Sequence, residues 1–198
     1  MIHALPGMGA DRRMYPAPWN RIPGFVAHDW IRHGGQRSLA EVAETMTKSC
    51  GIKDGDNLVG SSLGGMVACE ITKLRRIRRL YLVGSAIQKE EVNRLLATLS
   101  PLAQFAPIEW LRISAARIPT EFSQMFAGLE PPFIRAMCAA IFQWPGAASP
   151  QTRVFRLHGK HDLVIPPPAQ VDLLVDGGHL ISITHPEPCV RFVEEKQG

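Results

Sequence analysis

The 198-residue sequence lacks the marks of a membrane or secreted protein. No run approaches the roughly 18 consecutive apolar residues that a spanning helix needs, so no membrane span is expected. No basic segment precedes the apolar residues of 1–7, and Pro6-Gly7 ends that run, so no secretory signal is expected either. Cysteine is scarce. Cys50, Cys69, Cys138 and Cys189 form no CxxC pair, and no Cys/His cluster has zinc-ligand spacing. Each lies among apolar neighbours, the pattern of buried free thiols, which points to a reducing, cytoplasmic setting. Glycine-rich phosphate loops of the forms GxxxxGK[ST] and GxGxxG are missing. So are internal repeats and low-complexity segments. With 45% apolar and 20% charged residues, a disordered, collagen-like or coiled-coil chain is excluded. A single domain over 1–198 is expected.

The net charge is +4, and much of the excess is one run: Lys73, Arg75, Arg76, Arg78 and Arg79. No aromatic residue interleaves with it as a stacking platform. The run therefore reads as the polar C-terminal end of a helix, where cations complement the dipole, and no nucleic-acid partner is expected.

Against that background, six short apolar runs read as strands: 2–5, 25–30, 57–61, 80–84, 154–158 and 172–176. Several are nearly all apolar, as expected for parallel strands covered on both faces. Over 38–50, Leu39, Val42, Ala43, Met46 and Cys50 follow the helical period, with Ser38 and Glu41 as a capping box and Gly51 as the stop. This alternation predicts an α/β fold, a doubly wound and mostly parallel sheet of about six strands. The segment 86–150 breaks the rhythm. Val92, Leu95, Leu96 and Leu99 make one helical stripe, and Phe133, Ile134, Met137, Cys138, Ile141 and Phe142 another, so it reads as a helical lid inserted between two strands.

The run 57–66 carries chemistry. A strand leads into Gly60-Ser61-Ser62-Leu63-Gly64, and an apolar helix follows, which is GxSxG in strand–turn–helix context. Small flanking residues permit a sharp turn that exposes the Ser62 hydroxyl, and the helix start points free amides at the same spot. A serine nucleophile needs a histidine base, and the histidine needs an orienting carboxylate, in the order Ser, Asp or Glu, His on such a scaffold. Asp162 and His179 each follow the C-terminal end of a strand, where open α/β sheets place their sites. Other residues compete for these roles. His161 reads as a solvated loop residue, and His158 as a strand-end histidine fixing the loop by hydrogen bonds. His185, before Pro186, reads as a surface turn. Asp176 is near enough in sequence to orient His179 but reads as a strand-end turn residue. No acid follows the strand at 80–84. The oxyanion requires two donors, assigned to the backbone N–H of Leu63 and, from the Gly/Pro loop after the first strand, of Met8.

Leu5-Pro-Gly-Met-Gly-Ala-Asp-Arg-Arg-Met-Tyr15, Gly60-Ser-Ser-Leu-Gly64, His158-Gly-Lys-His-Asp162 and Gly177-Gly-His179 span nearly the whole chain. In that order they resemble the α/β-hydrolase superfamily, specifically its small single-domain serine hydrolases of the esterase and lipase type. The resemblance implies Ser62 as nucleophile, Asp162 as orienting acid, His179 as base, and a lid before the strand leading to Asp162. Two departures stand out. The loop after the first strand reads Pro6-Gly7 where the family usually has His-Gly, so a histidine contact to that loop is lost. The chain also starts on what resembles the family's third strand, leaving one sheet edge uncovered. An aspartate at the elbow marks the family's haloalkane dehalogenases, and Ser62 argues against that chemistry. The expected function is hydrolysis of an ester or related acyl bond of a small or medium apolar substrate, with no cofactor and no metal. Candidate pocket walls are Leu96, Leu99, Phe105, Trp110, Phe122, Met125, Phe126 and Trp144. Acyl transfer or C–C hydrolysis on the same triad, and a non-catalytic ligand-binding protein keeping the fold, are the alternatives. A monomer or homodimer acting on a small-molecule acyl substrate is expected.

Overall fold

Strands form where apolar residues occupy both faces of the pleat. In a computed structural model describing residues 1–92, 131–149 and 151–197, six strands pair in parallel in one sheet. They are β1 (Ile2–Leu5), β2 (Phe25–Ala27), β3 (Asn57–Ser61), β4 (Arg79–Val83), β5 (Arg153–Gly159) and β6 (Leu173–Val175). Their order is β2-β1-β3-β4-β5-β6. The chain runs outward from β1 to β2, then returns to build the rest on the other side. The direction of winding therefore reverses between β1 and β3, and open α/β sheets hold their ligands beyond the C-terminal ends of the strands at such a point.

Helices cover both faces. On one side lie α1 (Leu39–Ser49), α2 (Leu63–Leu74) and α3 (Pro131–Gln143), packed with Leu5, Leu58, Leu80 and Leu82. On the other, α4 (Ile181–Thr184) and α5 (Pro186–Gln197) pack with Val59, Tyr81, Val83, Phe155 and Leu157. Alternate residues of β4 thus feed opposite cores, as period-2 side chains must. The start of α1 is capped by Ser38 Oγ, which accepts from Glu41 N–H at 3.2 Å. The Glu41 carboxylate reaches back to Arg37 N–H at 2.7 Å, one residue earlier than a capping box requires. At its other end Ile52 N–H bonds Thr47 O at 3.0 Å and Gly51 N–H bonds Lys48 O at 3.3 Å, a Schellman pair.

Strand β2 is shorter than the apolar run 25–30 predicts. After His28 N–H donates to Ala4 O, side-chain bonds take over: Asp29 accepts from Arg12 N–H, and the Trp30 indole turns to Gly7 O. The basic run falls where a helix end was expected. Lys73 sits in the last turn of α2 bonded to Glu70, Arg76 pairs with Asp54, and Arg79 opens β4.

Of the segment 86–150, the described part holds α3, which buries Phe133, Ile134, Met137, Ala140 and Ile141. The stripe residues Leu95, Leu96 and Leu99 lie outside the described residues. The chain returns to the sheet by docking on α2. Lys73 Nζ donates to Gly146 O at 3.1 Å, and Ser149 N–H to Thr72 Oγ1 at 2.7 Å. Among the described residues no helix is long and apolar enough to cross a membrane.

Candidate active site

The turn between β3 and α2 holds Ser62 at φ 51° and ψ −122°, a left-handed backbone that L-residues avoid. Bonds at both its N–H and its carbonyl pin it there. Its N–H donates to Val83 O at 3.1 Å, and its carbonyl accepts from Gly65 N–H at 3.0 Å and from Ser85 Oγ at 2.7 Å. Gly64 is obligatory, because a Cβ there would overlap the carbonyl oxygens of Leu5 and Pro6. The loop after β1 is thereby pressed against the elbow. Tyr15, buried beneath, strengthens that contact: its hydroxyl donates to Leu5 O at 2.6 Å and lies 3.2 Å from Ser61 Oγ. Burial pushes its phenol well above the ordinary range.

Asp162 and His179 arrive from β5 and β6. Lys160 N–H bonds Val175 O at 2.8 Å, and His161 N–H bonds Gly177 O at 2.9 Å, so the two loops are laced together. Gly159 permits the crossing, since a Cβ would run into the carbonyl oxygens of Gly177 and Gly178. His179 Nδ1 lies 2.8 Å from Asp162 Oδ2, and His179 Nε2 lies 3.0 Å from Ser62 Oγ. With the proton on Nδ1 donated to the carboxylate, Nε2 is free to accept from the serine hydroxyl. The other Asp162 oxygen accepts from Val164 and Ile165 N–H, each at 2.9 Å. The Asp162 side chain is 0% exposed and that of His179 9%. A buried carboxylate with all these partners is fixed in direction, and so is the imidazole it holds.

The three residues read from the sequence as a triad are thus brought into one hydrogen-bonded chain. The assigned oxyanion donors also lie at this corner. Leu63 N–H opens α2, and neither it nor Met8 N–H donates to an acceptor among the described residues. The pocket-wall candidates fare differently. Leu96, Leu99, Phe105, Trp110, Phe122, Met125 and Phe126 lie outside the described residues. Trp144 is 3% exposed and donates its indole N–H to Glu70 Oε1 at 2.6 Å. It packs on α2 two turns from Ser62 and is not brought to the site.

Other titratable residues take local roles. His161 pairs with Asp176 at 2.8 Å on the surface, which engages the other acid close to His179 in sequence. His185 Nδ1 lies 2.8 Å from Thr184 Oγ1. Cys69 and Cys189 are buried, while Cys50 and Cys138 are only half-buried; all four are free thiols. The expectation for His158 needs correcting. It is fully buried, but neither ring nitrogen has a hydrogen-bond partner among the described residues, so it does not fix the loop by bonding.

Burial, aided by the neighbouring Arg156 guanidinium, pushes the His158 pKa down to about 4. A histidine whose folded value is depressed is stabilising above the unfolded value of 6.5, and that contribution is lost as pH falls from there toward 4. We expect about 1–2 kcal/mol of unfolding free energy to disappear between pH 7 and pH 5 through this residue. His3 and His28, also lowered by burial, act in the same direction. Urea unfolding at the two pH values measures the loss, and His158→Leu is expected to shrink it. An equal loss in that variant would remove His158 as the source.

Sequence reasoning missed three residues around the elbow: Tyr15, Ser85 and Trp30. Ser85 holds the Ser62 carbonyl, and its own carbonyl accepts from Arg156, which forms a bidentate pair with Glu91 at 2.9 and 2.7 Å. Burial alone would raise the Glu91 carboxyl. The bonds from Arg156 and from Ile87 N–H outweigh it and hold the group below the usual carboxylate range. No local pattern advertises the bonds from Ser85 to Ser62 and from Arg156 to Glu91, because each joins segments far apart in the chain.

Solved structures with this fold include a thermophilic esterase from Thermogutta terrifontis, with TM-score 0.74 and 19% identity over 99% of this chain and 88% of that one. An esterase from Exiguobacterium antarcticum gives TM-score 0.73 and 16% identity over 98% of this chain and 90% of that one. An N-acyl homoserine lactonase gives TM-score 0.73 and 17% identity over 98% of this chain and 88% of that one. At such identities the likeness shows the fold. The family model described as "Alpha/beta hydrolase family" matches residues 2–192, and with that match across nearly its whole length the chain belongs to the alpha/beta hydrolase family.

Proposed function

We propose that this hydrolase is a serine enzyme cleaving an ester or lactone of small or medium apolar acyl character through an acyl-enzyme on Ser62. The observation that carries the reading is the chain Ser62 Oγ, His179, Asp162, with separations of 3.0 and 2.8 Å. A protein that only bound a ligand would have no use for all three groups in that register. His179 Nε2 takes the hydroxyl proton as Ser62 Oγ attacks the carbonyl carbon. The developing oxyanion is met by the N–H groups of Met8 and Leu63, helped by the positive end of α2. His179 then hands the proton to the departing alkoxide, the C–O bond breaks, and the acyl group remains on Ser62. A water deprotonated by the same imidazole hydrolyses it and restores the serine. Asp162 stays ionised throughout and stabilises the imidazolium. The names of the esterases and the lactonase among its fold relatives support ester and lactone substrates. The free thiols suit a reducing compartment.

The test is labelling by a fluorophosphonate together with turnover of p-nitrophenyl esters of increasing chain length and of γ-lactones. We expect phosphonylation on the peptide carrying Ser62 and hydrolysis of at least one short or medium ester. A protein that neither reacts with the probe nor turns over any member of the panel would overturn the reading.

A further inference from the structure

The loop between β1 and the 3₁₀ turn Arg12–Met14 contains one peptide unit whose orientation matters more than its sequence. The carbonyl of Gly7 and the N–H of Met8 belong to the same trans amide and point in opposite directions. Whatever fixes the carbonyl therefore aims the N–H. The Gly7 carbonyl is held twice: Trp30 Nε1–H donates to it at 2.8 Å and Ala10 N–H at 3.1 Å. On the other side of the residue, Gly7 N–H donates to the buried Met14 thioether at 3.0 Å. Gly7 also lies against the nucleophile, since a Cβ placed on it would come within 3.5 Å of Ser62 Cβ.

We propose that Trp30 is a positioning residue for the oxyanion site, its indole N–H locking the Gly7–Met8 peptide so that Met8 N–H faces the space beside Ser62. The assignment rests on the reading of Ser62 as the acylated nucleophile. The Trp30 ring is itself anchored, half-buried against Phe133 with centroids 5.4 Å apart. Its donor is therefore presented by packing. In a site where the peptide must not swing when charge develops, such a brace reduces the reorganisation needed in the transition state. Ala10 N–H alone closes a short turn but leaves the peptide plane freer to tilt.

The deciding comparison is between wild type, Trp30→Phe, and a variant carrying 3-benzothienylalanine at position 30, which keeps the shape of the indole and lacks its N–H. Steady-state kinetics on the best ester, the inhibition constant of an alkylboronic acid, and melting temperature are measured for each. We expect kcat to fall about tenfold in both variants with KM within about twofold, because the interaction matters only once charge develops. The boronate constant should rise by the same factor as kcat/KM falls, with little change in melting temperature. Unchanged kcat in the benzothienyl variant overturns the assignment, as does a loss confined to KM or a boronate constant that does not move. Should Trp30→Phe fail to fold, the benzothienyl variant decides alone. A wild type that is active and labelled at Ser62, beside variants equal to it, removes only the role of Trp30. A wild type that is inactive and unlabelled removes the serine mechanism and this proposal with it.

Discussion

His179→Ala is expected to lower kcat/KM for an ester by about 10⁴-fold or more, with the melting temperature within a few degrees of wild type. The imidazole is the only ring within hydrogen-bond reach of Ser62 Oγ among the described residues, and it sits between that hydroxyl and a fully buried carboxylate. No neighbour can substitute. His158 has no bond to the triad, and His161 is drawn away to Asp176. Removing the ring leaves the Met8 and Leu63 N–H groups in place, so on the proposed mechanism a small residual rate over water should persist. Ser62→Ala should lose a similar amount, and the double variant should lose little more, because the two groups act as a unit. Stopped assays at high enzyme concentration measure this range. A His179→Ala protein retaining a tenth of the wild-type rate would mean that another base does the work.

Asp162→Asn is expected to lower kcat by about 10³–10⁴-fold while preserving the fold. Oδ1 of this side chain accepts from Val164 and Ile165 N–H, and an asparagine oxygen can still do so. The other end then presents an NH₂ group to His179 Nδ1 where a carboxylate oxygen stood at 2.8 Å. Nδ1 must now accept, which moves the ring proton to Nε2, facing Ser62. The imidazole can then no longer take the hydroxyl proton. Asp162→Ala should differ in a diagnostic way. It also abandons the two loop amides, which adds on the order of 2 kcal/mol of destabilisation. Comparing kcat and urea unfolding for the two variants separates the tautomer effect from the loop effect. Equal stability losses in both would contradict the division of labour between the two oxygens.

Much of this architecture was legible in the chain because it is local. The apolar run at 80–84 became β4 shifted by one residue, and the alternation of short apolar runs with a capped helix at 38–50 gave the parallel sheet its order of parts. The elbow was legible because sharp turns leave a mark in small residues, and Asp162 and His179 because parallel strands deliver their loops to one end. What was not legible depends on contacts across the sheet. The apolar run at 25–30 gives no hint that Trp30 leaves the strand to bond Gly7, nor does Tyr15 betray that it braces Leu5. His158 looked like a bonding residue from its type alone. Whether a buried polar atom finds a partner depends on neighbours from other segments.

The distorted backbone at Ser62 has a consequence for the evolution of the chain. A glycine at that position would adopt the same dihedral angles with less strain, against some cost in unfolded-chain entropy, and would remove the hydroxyl on which the proposed mechanism depends. On the proposed mechanism, backbone ease and reactivity are therefore opposed at one residue. Variants selected for backbone ease alone would be expected to drift there toward an inert scaffold.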